Sequence, residues 1–382
     1  MADRALEACH SIMDIRDLAR RRLPLPVFHY LDGAAETEST ARHNTEVFDR
    51  TTLIPRTLMD VSRVHTATEL LGRSIDWPVL CAPTGASRLY HEDGELSVAR
   101  AAARANTFYS LSVAGTHSLE EVARASDGPK IFQLLLFKDR GLTYSLLERS
   151  RESGYAALCL TVDAAVRGKR ERELRHGMGM PPRPSWASVA HFAARPRWLM
   201  RQALRGRWAL RNLAPQLPGM TAGARYLAQQ LDTAITWEDA QRLVERWRGP
   251  CAIKGVLSAQ DARRAADVGF TCVVVSNHGG RQLDSAAAPY EVLPDIADAV
   301  ADRMEIILDG GIRRGIHVLK ALARGARACM VGRPYLFGLA AGGEAGVTRA
   351  FDILRDELVR AMQLCGCTDV RRIDPGILAR PT

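Results

Sequence analysis

The stretch EIILDGGIRRGIHVLKALARGARACMVGRP, residues 305–334, decides the fold. It contains two short apolar runs, residues 305–309 and 328–332, separated by a helical pattern over residues 315–324. An apolar run without polar alternation is typical of a parallel strand that is buried on both faces. Because parallel strands need a long crossover between them, usually a helix, the stretch predicts one β-α-β unit.

The same unit recurs along the chain. Six further apolar runs precede this stretch, at residues 78–82, 107–111, 131–136, 157–162, 251–254 and 272–276. Eight strand-helix units predict a TIM (β/α)8 barrel, an α/β fold. A doubly wound sheet is the alternative, but it usually carries a GxGxxG turn after its first strand, and that turn is missing here.

Two segments stand outside the eight units. Residues 1–70 precede them and are predicted to form an N-terminal helical cover, which leaves residues 71–382 as the barrel domain. Residues 168–232 form a long insertion after the fourth predicted strand, where a barrel loop usually has only a few residues. A final helix is predicted over about residues 344–364.

Composition excludes several classes of protein. A chain of 382 residues with 47% apolar residues is neither disordered nor a small disulfide scaffold. Its eight cysteines form no CxxC pair, so we expect no metal site and a reducing, cytoplasmic setting. The first residues lack the apolar core of a signal peptide, and no apolar run is long enough to predict a membrane span.

The net charge of +9 is concentrated in one segment. Residues 167–211 carry twelve basic and two acidic residues, and residues 183–218 hold three of the six tryptophans among several prolines. Basic residues mixed with tryptophan and leucine are typical of a segment that lies in a membrane interface, here an anionic inner membrane on its cytoplasmic face. A lid, a subunit contact and a flexible loop are the alternatives. No nucleic-acid-binding signature accompanies the charge, so no nucleic acid is expected.

Polar residues and glycines gather at the carboxyl ends of the predicted strands, where TIM barrels carry their chemistry. The last two ends read DGGIR, residues 309–313, and GRP, residues 332–334. Glycines let backbone amides approach a phosphate, and arginines add charge-assisted hydrogen bonds. These two ends therefore predict a phosphate site, and the lysine, histidine and arginines on the other ends indicate an anionic ligand.

The stretch SNHGGRQLD, residues 276–284, resembles the signature of the FMN-dependent L-2-hydroxy-acid dehydrogenase and oxidase family. The chain is closest in character to that family's membrane-associated (S)-mandelate and L-lactate dehydrogenases. The supporting motifs are APTG at 82–85, LTVDA at 160–164, KGV at 254–256, DGGIRRG at 309–315 and GRP at 332–334. The resemblance implies oxidation of an L-2-hydroxy acid to the 2-oxo acid by FMN, a quinone or other electron acceptor, and a homotetramer.

The resemblance also implies a role for each matching residue. His278 would be the catalytic base, and Asp163 would stabilise its protonated form. Arg281, Arg170 and Tyr30 would hold the substrate carboxylate. The FMN-binding residues would be Pro83, Thr84, Gly85, Ser112, Gln133, Thr161, Lys254, Ser276, Asp309, Gly310, Gly311, Arg313, Gly332 and Arg333.

Three positions bear on substrate and acceptor. Leu135 stands where most relatives have a tyrosine, and Ala114 where glycolate oxidase has a tryptophan. Both would enlarge an apolar pocket, which favours a bulky or aromatic side chain among the candidate acids, which are mandelate-like, lactate or longer-chain. Gly85 resembles the dehydrogenases, because oxidases often carry alanine there. Two alternatives remain: a soluble oxidase that releases H2O2, and, supported by Leu135 alone, a catalytically impaired flavin-binding protein at the membrane.

Overall fold

The computed structural model describes residues 3–179, 185–204, 209–213 and 219–379. Eight parallel strands form a closed barrel in which the last strand pairs with the first, so the predicted TIM barrel is confirmed. The strands are the hairpin β1 Thr68–Leu70 and β2 Arg73–Ile75, followed by the barrel strands β3 Val79–Thr84, β4 Tyr109–Ser112, β5 Lys130–Leu134, β6 Ala157–Thr161, β7 Cys251–Val256, β8 Cys272–Ser276, β9 Glu305–Asp309 and β10 Ala328–Val331.

The barrel strands are apolar throughout because they serve two cores. Along β8, the side chains of Cys272 and Val274 point into the barrel, whereas those of Val273 and Val275 pack against the surrounding helices. Successive strand residues face opposite sides, and here both sides are buried. This double burial explains why the predicted strands lack polar alternation.

Helices surround the barrel and extend from it. Their bounds are α1 Arg4–Glu7, α2 Ile12–Arg22, α3 Leu25–Asp32, α4 Ser39–Asp49, α5 Gly94–Arg104, α6 Leu119–Ala125, α7 Arg140–Glu152, α8 Glu171–Arg175, α9 Trp186–Ala193, α10 Pro196–Leu204, α11 Gly219–Gln230, α12 Trp237–Trp247, α13 Ala259–Val268, α14 Pro289–Val300, α15 Gly315–Ala323 and α16 Arg333–Leu364. The N-terminal helices pack on helices that surround the barrel: α2 packs against α16, and α4 packs against α14.

The final helix begins earlier than the sequence predicts. α16 runs from Arg333, and Gly342 and Gly343 break its regular conformation, the second with φ +59°. The predicted helix over about residues 344–364 is therefore the part that follows this kink. Two adjacent glycines are a common cause of such a bend, since glycine adopts positive φ without steric cost.

The insertion consists of short helices in its described part, as its prolines suggest. α8, α9, α10 and α11 lie between β6 and α12. Of the residues that give this segment its predicted character, Arg183, Arg205, Arg207 and Trp208 lie outside the described residues. Among the helices described, none has both the length and the apolar character that crossing a bilayer requires.

Candidate active site

A cavity of about 450 Å3 opens at the carboxyl ends of the barrel strands. It is lined by nineteen of the residues that the sequence predicts for the site: Tyr30, Pro83, Thr84, Gly85, Ser112, Ala114, Gln133, Leu135, Thr161, Arg170, Lys254, His278, Arg281, Asp309, Gly310, Gly311, Arg313, Gly332 and Arg333. The other two, Asp163 and Ser276, do not line it and instead bond to His278 and to Lys254.

His278 is held between the end of β8 and a buried carboxylate. Its backbone has φ +59° and its amide donates to Ser276 Oγ at 3.0 Å. The ring Nδ1 lies 3.0 Å from Asp163 Oδ1. Burial raises the pKa of Asp163, but the attraction of His278 and nearby cations outweighs burial, so the net pKa is lowered. With Nδ1 facing a carboxylate, Nε2 is the nitrogen that remains to exchange a proton with a ligand.

A glycine makes this approach of Asp163 sterically feasible. Gly255, in β7, has φ +106°, and a Cβ on it would lie 2.6 Å from the Cβ and Cγ atoms of Asp163. Such a contact is closer than carbon atoms tolerate. The KGV motif therefore supplies both the lysine of the cavity and the space for the carboxylate behind His278.

Arg281 joins the barrel to the N-terminal helices. Its Nη1 donates to the carbonyls of Tyr30 at 3.1 Å and Gly33 at 2.7 Å, and its Nη2 donates to Glu173 Oε1 at 2.9 Å. The guanidinium also lies 5.5 Å from the centroid of the Tyr30 ring. Burial lowers the pKa of Arg281, but Glu173 reverses this effect, so the net pKa is raised and the group is a permanent cation.

Two further arginines make this end of the cavity strongly basic. Arg170 donates through Nε to the Arg281 carbonyl at 3.1 Å, and burial together with the Arg281 cation lowers its pKa to about 9. Arg167 also lines the cavity, although the sequence analysis did not select it from the basic segment. An anion between these groups would relieve their mutual repulsion, so the arrangement suits a carboxylate.

Lys254 is a buried cation with an internal partner. Its side chain is only 4% exposed, and Nζ lies 2.6 Å from Asp309 Oδ2 and 2.9 Å from Ser276 Oγ. Ser276 in turn donates to Asp309 at 2.7 Å. Burial lowers the pKa of Lys254, but Asp309 and Asp163 outweigh it and the net pKa is raised. Lys254 therefore presents a positive charge to the cavity at neutral pH.

The predicted phosphate site contains two partly buried cations, Arg313 and Arg333. Burial lowers the pKa of Arg313 to about 10 and, with the neighbouring Arg313, that of Arg333 to about 9. Within the described ranges neither arginine has a carboxylate within salt-bridge distance, and Arg333 Nε is buried without a hydrogen-bond partner. Gly310 and Gly311 beside them have φ +120° and +81°. Uncompensated charge beside open backbone fits the phosphate of FMN.

Polar groups also line the cavity at the ends of β4 and β5. Ser112 Oγ donates to Gln133 Oε1 at 2.9 Å and accepts the amide of Ala114 at 3.2 Å. The hydroxyl of Thr84 is already engaged, because it lies in a hydrogen bond of 2.7 Å with the Tyr335 hydroxyl. Thr84 therefore offers a ligand mainly its backbone. A row of amide and hydroxyl groups of this kind suits the polar edge of a flavin ring.

An apolar wall lines the cavity together with Leu135, and it was not predicted from the sequence. Its side chains are Ala224, Leu227 and Ala228 of α11, at positions i, i+3 and i+4, and Leu231, the residue that directly follows the helix. This spacing indicates an amphipathic helix. It does not indicate which surface the apolar face covers, so the role of the wall emerges only from the tertiary structure. Tyr90 lines the cavity as well and was also missed.

Known proteins resemble this chain over nearly all of its length. The family model described as FMN-dependent dehydrogenase matches residues 19–380. L-lactate oxidase of Nostoc sp. is 42% identical over 98% of this chain and 99% of its own length, and L-lactate dehydrogenase of Caulobacter vibrioides is 42% identical over 97% of each. The crystal structure of the monotopic membrane protein (S)-mandelate dehydrogenase superposes with a TM-score of 0.93 at 36% identity, covering 97% of this chain and 99% of that one.

Proposed function

The chain belongs to the FMN-dependent dehydrogenase family, and from this premise we propose how its own residues carry out the reaction. The chain is an oxidoreductase that uses FMN to oxidise a 2-hydroxy acid to the 2-oxo acid. FMN supplies the two-electron acceptor for this oxidation. What remains to be assigned is the role of each side chain, the preferred acid, the final electron acceptor and the location.

We assign the phosphate of FMN to Arg313, Arg333 and the backbone of Gly310 and Gly311, with Gly332 adjacent. The support is the pair of partly buried cations that lack a carboxylate within salt-bridge distance in the described part of the chain. Ser112, Gln133, Thr161 and Lys254 would contact the ring, with the backbone of residues 83–85 beside it. The Lys254 cation would favour negative charge on the ring.

His278 acts as the base through Nε2. The observation that carries this assignment is the Asp163 carboxylate 3.0 Å from Nδ1, in a cavity that is also lined by Arg170, Arg281 and Lys254. Arg281, Arg170 and Tyr30 orient the substrate carboxylate, and His278 takes a proton from the substrate's α-carbon or hydroxyl group. The negative charge of Asp163 stabilises the imidazolium that results.

The preferred acid carries a bulky apolar or aromatic side chain, as mandelate does. Leu135, Ala114, Leu227 and Leu231 all line the cavity and offer apolar contact without a hydrogen-bond donor. The likeness to (S)-mandelate dehydrogenase supports the same choice. We expect glycolate, which has no side chain to bury, to be the poorest substrate.

The insertion docks the enzyme on an anionic membrane surface, where a quinone accepts the electrons. One face of α10 is fixed to the barrel, because Trp198 Nε1 donates to the Leu89 carbonyl at 3.1 Å and Gln202 to that of Arg88 at 2.8 Å. Exposed apolar side chains lie on α9 and α10, namely Trp186, Val189, Leu199 and Met200. Trp186 is 91% exposed, which is unusual for a tryptophan unless a partner covers it. By family resemblance we also propose a homotetramer.

Two experiments test these assignments. An anaerobic screen of L-mandelate, L-lactate and glycolate should bleach the flavin fastest with mandelate, and no bleaching by any 2-hydroxy acid would refute the function. In air, peroxide release that matches turnover would instead favour the oxidase alternative. Co-sedimentation with anionic vesicles should fall when Met200 and Leu199 are both changed to Glu. Unchanged binding by that variant would refute docking through α10.

A further inference from the structure

Glu173 is a buried carboxylate at the centre of three guanidinium groups. Its side chain, on α8, is 1% exposed and does not line the cavity. Its carboxylate oxygens lie 2.7 Å from Arg167 Nη2, 2.9 Å from Arg281 Nη2 and 3.8 Å from Arg170 Nη1. Burial of a carboxylate is costly unless cations and hydrogen bonds compensate it, and here three cations do so.

The donors of Arg281 show what this contact achieves. The two hydrogens of Nη1 go to the Tyr30 and Gly33 carbonyls, and one hydrogen of Nη2 goes to Glu173. Nε–H and the second Nη2 hydrogen remain without an acceptor among the described residues. A guanidinium can offer Nε and Nη2 as a parallel pair of donors to a carboxylate. Glu173 and the two carbonyls therefore fix the guanidinium plane and leave one edge for the substrate.

Glu173 also keeps the arginines together. Three cations at this spacing repel one another, and Arg170 reaches Arg281 only through the carbonyl of that residue at 3.1 Å. Arg167 is the most exposed of the three, so it would turn to solvent if the carboxylate were lost. The residue that precedes Glu173, Arg172, donates to Asp32 and Glu38 and so fastens α8 to the N-terminal helices.

We propose that Glu173 is a positioning residue that holds Arg281 and Arg170 in the arrangement that binds the substrate carboxylate. This inference rests on the proposed role of those two arginines. It assigns to α8, at the start of the insertion, a part in substrate affinity that none of the cavity-lining residues reveals.

The test is Glu173→Gln in the FMN-loaded enzyme, with phenylacetate as an unreactive carboxylate and phenylacetamide as its uncharged counterpart. The Kd of phenylacetate should rise about 10- to 100-fold, as expected when a charge-assisted contact no longer orients the site. The KM of L-mandelate should rise much more than kcat falls, and the Kd of phenylacetamide should not change. Glu173→Asp, which keeps the charge on a shorter stem, should restore part of the affinity.

Several results would overturn the proposal. An unchanged or lower Kd for phenylacetate would show that Glu173 does not orient the arginines or that it competes with the substrate. Equal weakening of phenylacetamide would show a general collapse of the pocket. If Glu173→Gln does not fold, the phenylacetate affinity of Glu173→Asp is the test. A Kd equal to that of the wild type would then refute the role. If no 2-hydroxy acid reduces the wild-type flavin, the proposed function fails, whereas loss of phenylacetate binding still supports Glu173.

Discussion

Asp163→Asn isolates the electrostatic contribution behind His278. The two side chains are 3.0 Å apart, and Asp163 is buried. Two unit charges about 4 Å apart attract by about 4 kcal/mol at an effective dielectric constant near 20. That attraction exists only once His278 has taken a proton, so its loss raises the barrier by a comparable amount. We therefore expect the rate of flavin reduction to fall by about 10³-fold, since about 1.4 kcal/mol corresponds to one factor of ten.

The measurement is anaerobic stopped-flow reduction of the flavin by L-mandelate, followed by its absorbance. FMN content and phenylacetate affinity should match the wild type. Asp163 contacts neither the arginines assigned to the phosphate, Arg313 and Arg333, nor those assigned to the substrate carboxylate, Arg170 and Arg281. Asp369→Asn is the matched control: it makes the same change at an aspartate whose partner is Arg371, far from the cavity, and should leave the rate unaltered. A rate within tenfold of the wild type in Asp163→Asn would refute the reasoning.

Three further predictions concern the cofactor, the pocket and stability. Arg333→Met removes one partly buried cation from the proposed phosphate site and should weaken FMN binding by about 100-fold, measured by flavin fluorescence; undiminished affinity would count against the assignment. Leu231→Phe enlarges the apolar wall and should lower kcat/KM for L-mandelate about tenfold more than for L-lactate, and a loss equal for both acids would contradict the wall's role. Burial raises the pKa of Asp32, but hydrogen bonds from Arg16 and Arg172 outweigh it and bring the pKa to about 2, below its ordinary 3.8. Asp32 therefore stabilises the fold fully above about pH 4 and loses this contribution as pH falls through 2, so Asp32→Asn should cost about 2 kcal/mol at pH 7 in denaturant unfolding and progressively less as the pH approaches and passes below 2.

The barrel was readable because each strand is buried on both sides. A short apolar run such as residues 272–276, repeated eight times between helical patterns, indicates a doubly covered strand, and in a barrel the polar residues after it lie at the mouth. The hairpin of β1 and β2 escaped prediction because its strands are only three residues long. Such strands carry too little periodicity to be recognised.

The contacts behind the cavity could not be predicted. Glu173 appeared as one of two acids in a basic segment, and nothing in the sequence places it 2.9 Å from Arg281, 108 residues away. The sequence contains the helical spacing of the apolar residues of α11, but it does not show which surface they cover, because that depends on how the insertion folds. Long-range pairing of this kind depends on the tertiary fold rather than on local sequence.

One backbone oxygen accepts hydrogen bonds from an arginine of the proposed substrate site and from an arginine of the proposed phosphate site. The carbonyl of Gly33 accepts from Arg281 at 2.7 Å and from Arg333 at 2.8 Å. If Arg281 binds the substrate carboxylate and Arg333 the FMN phosphate, as proposed above, a shift of this loop would move both guanidiniums, and any coupling between the two ligands would act equally in both directions. Redesign of either site for a new ligand would have to preserve the position of the Gly33 carbonyl oxygen.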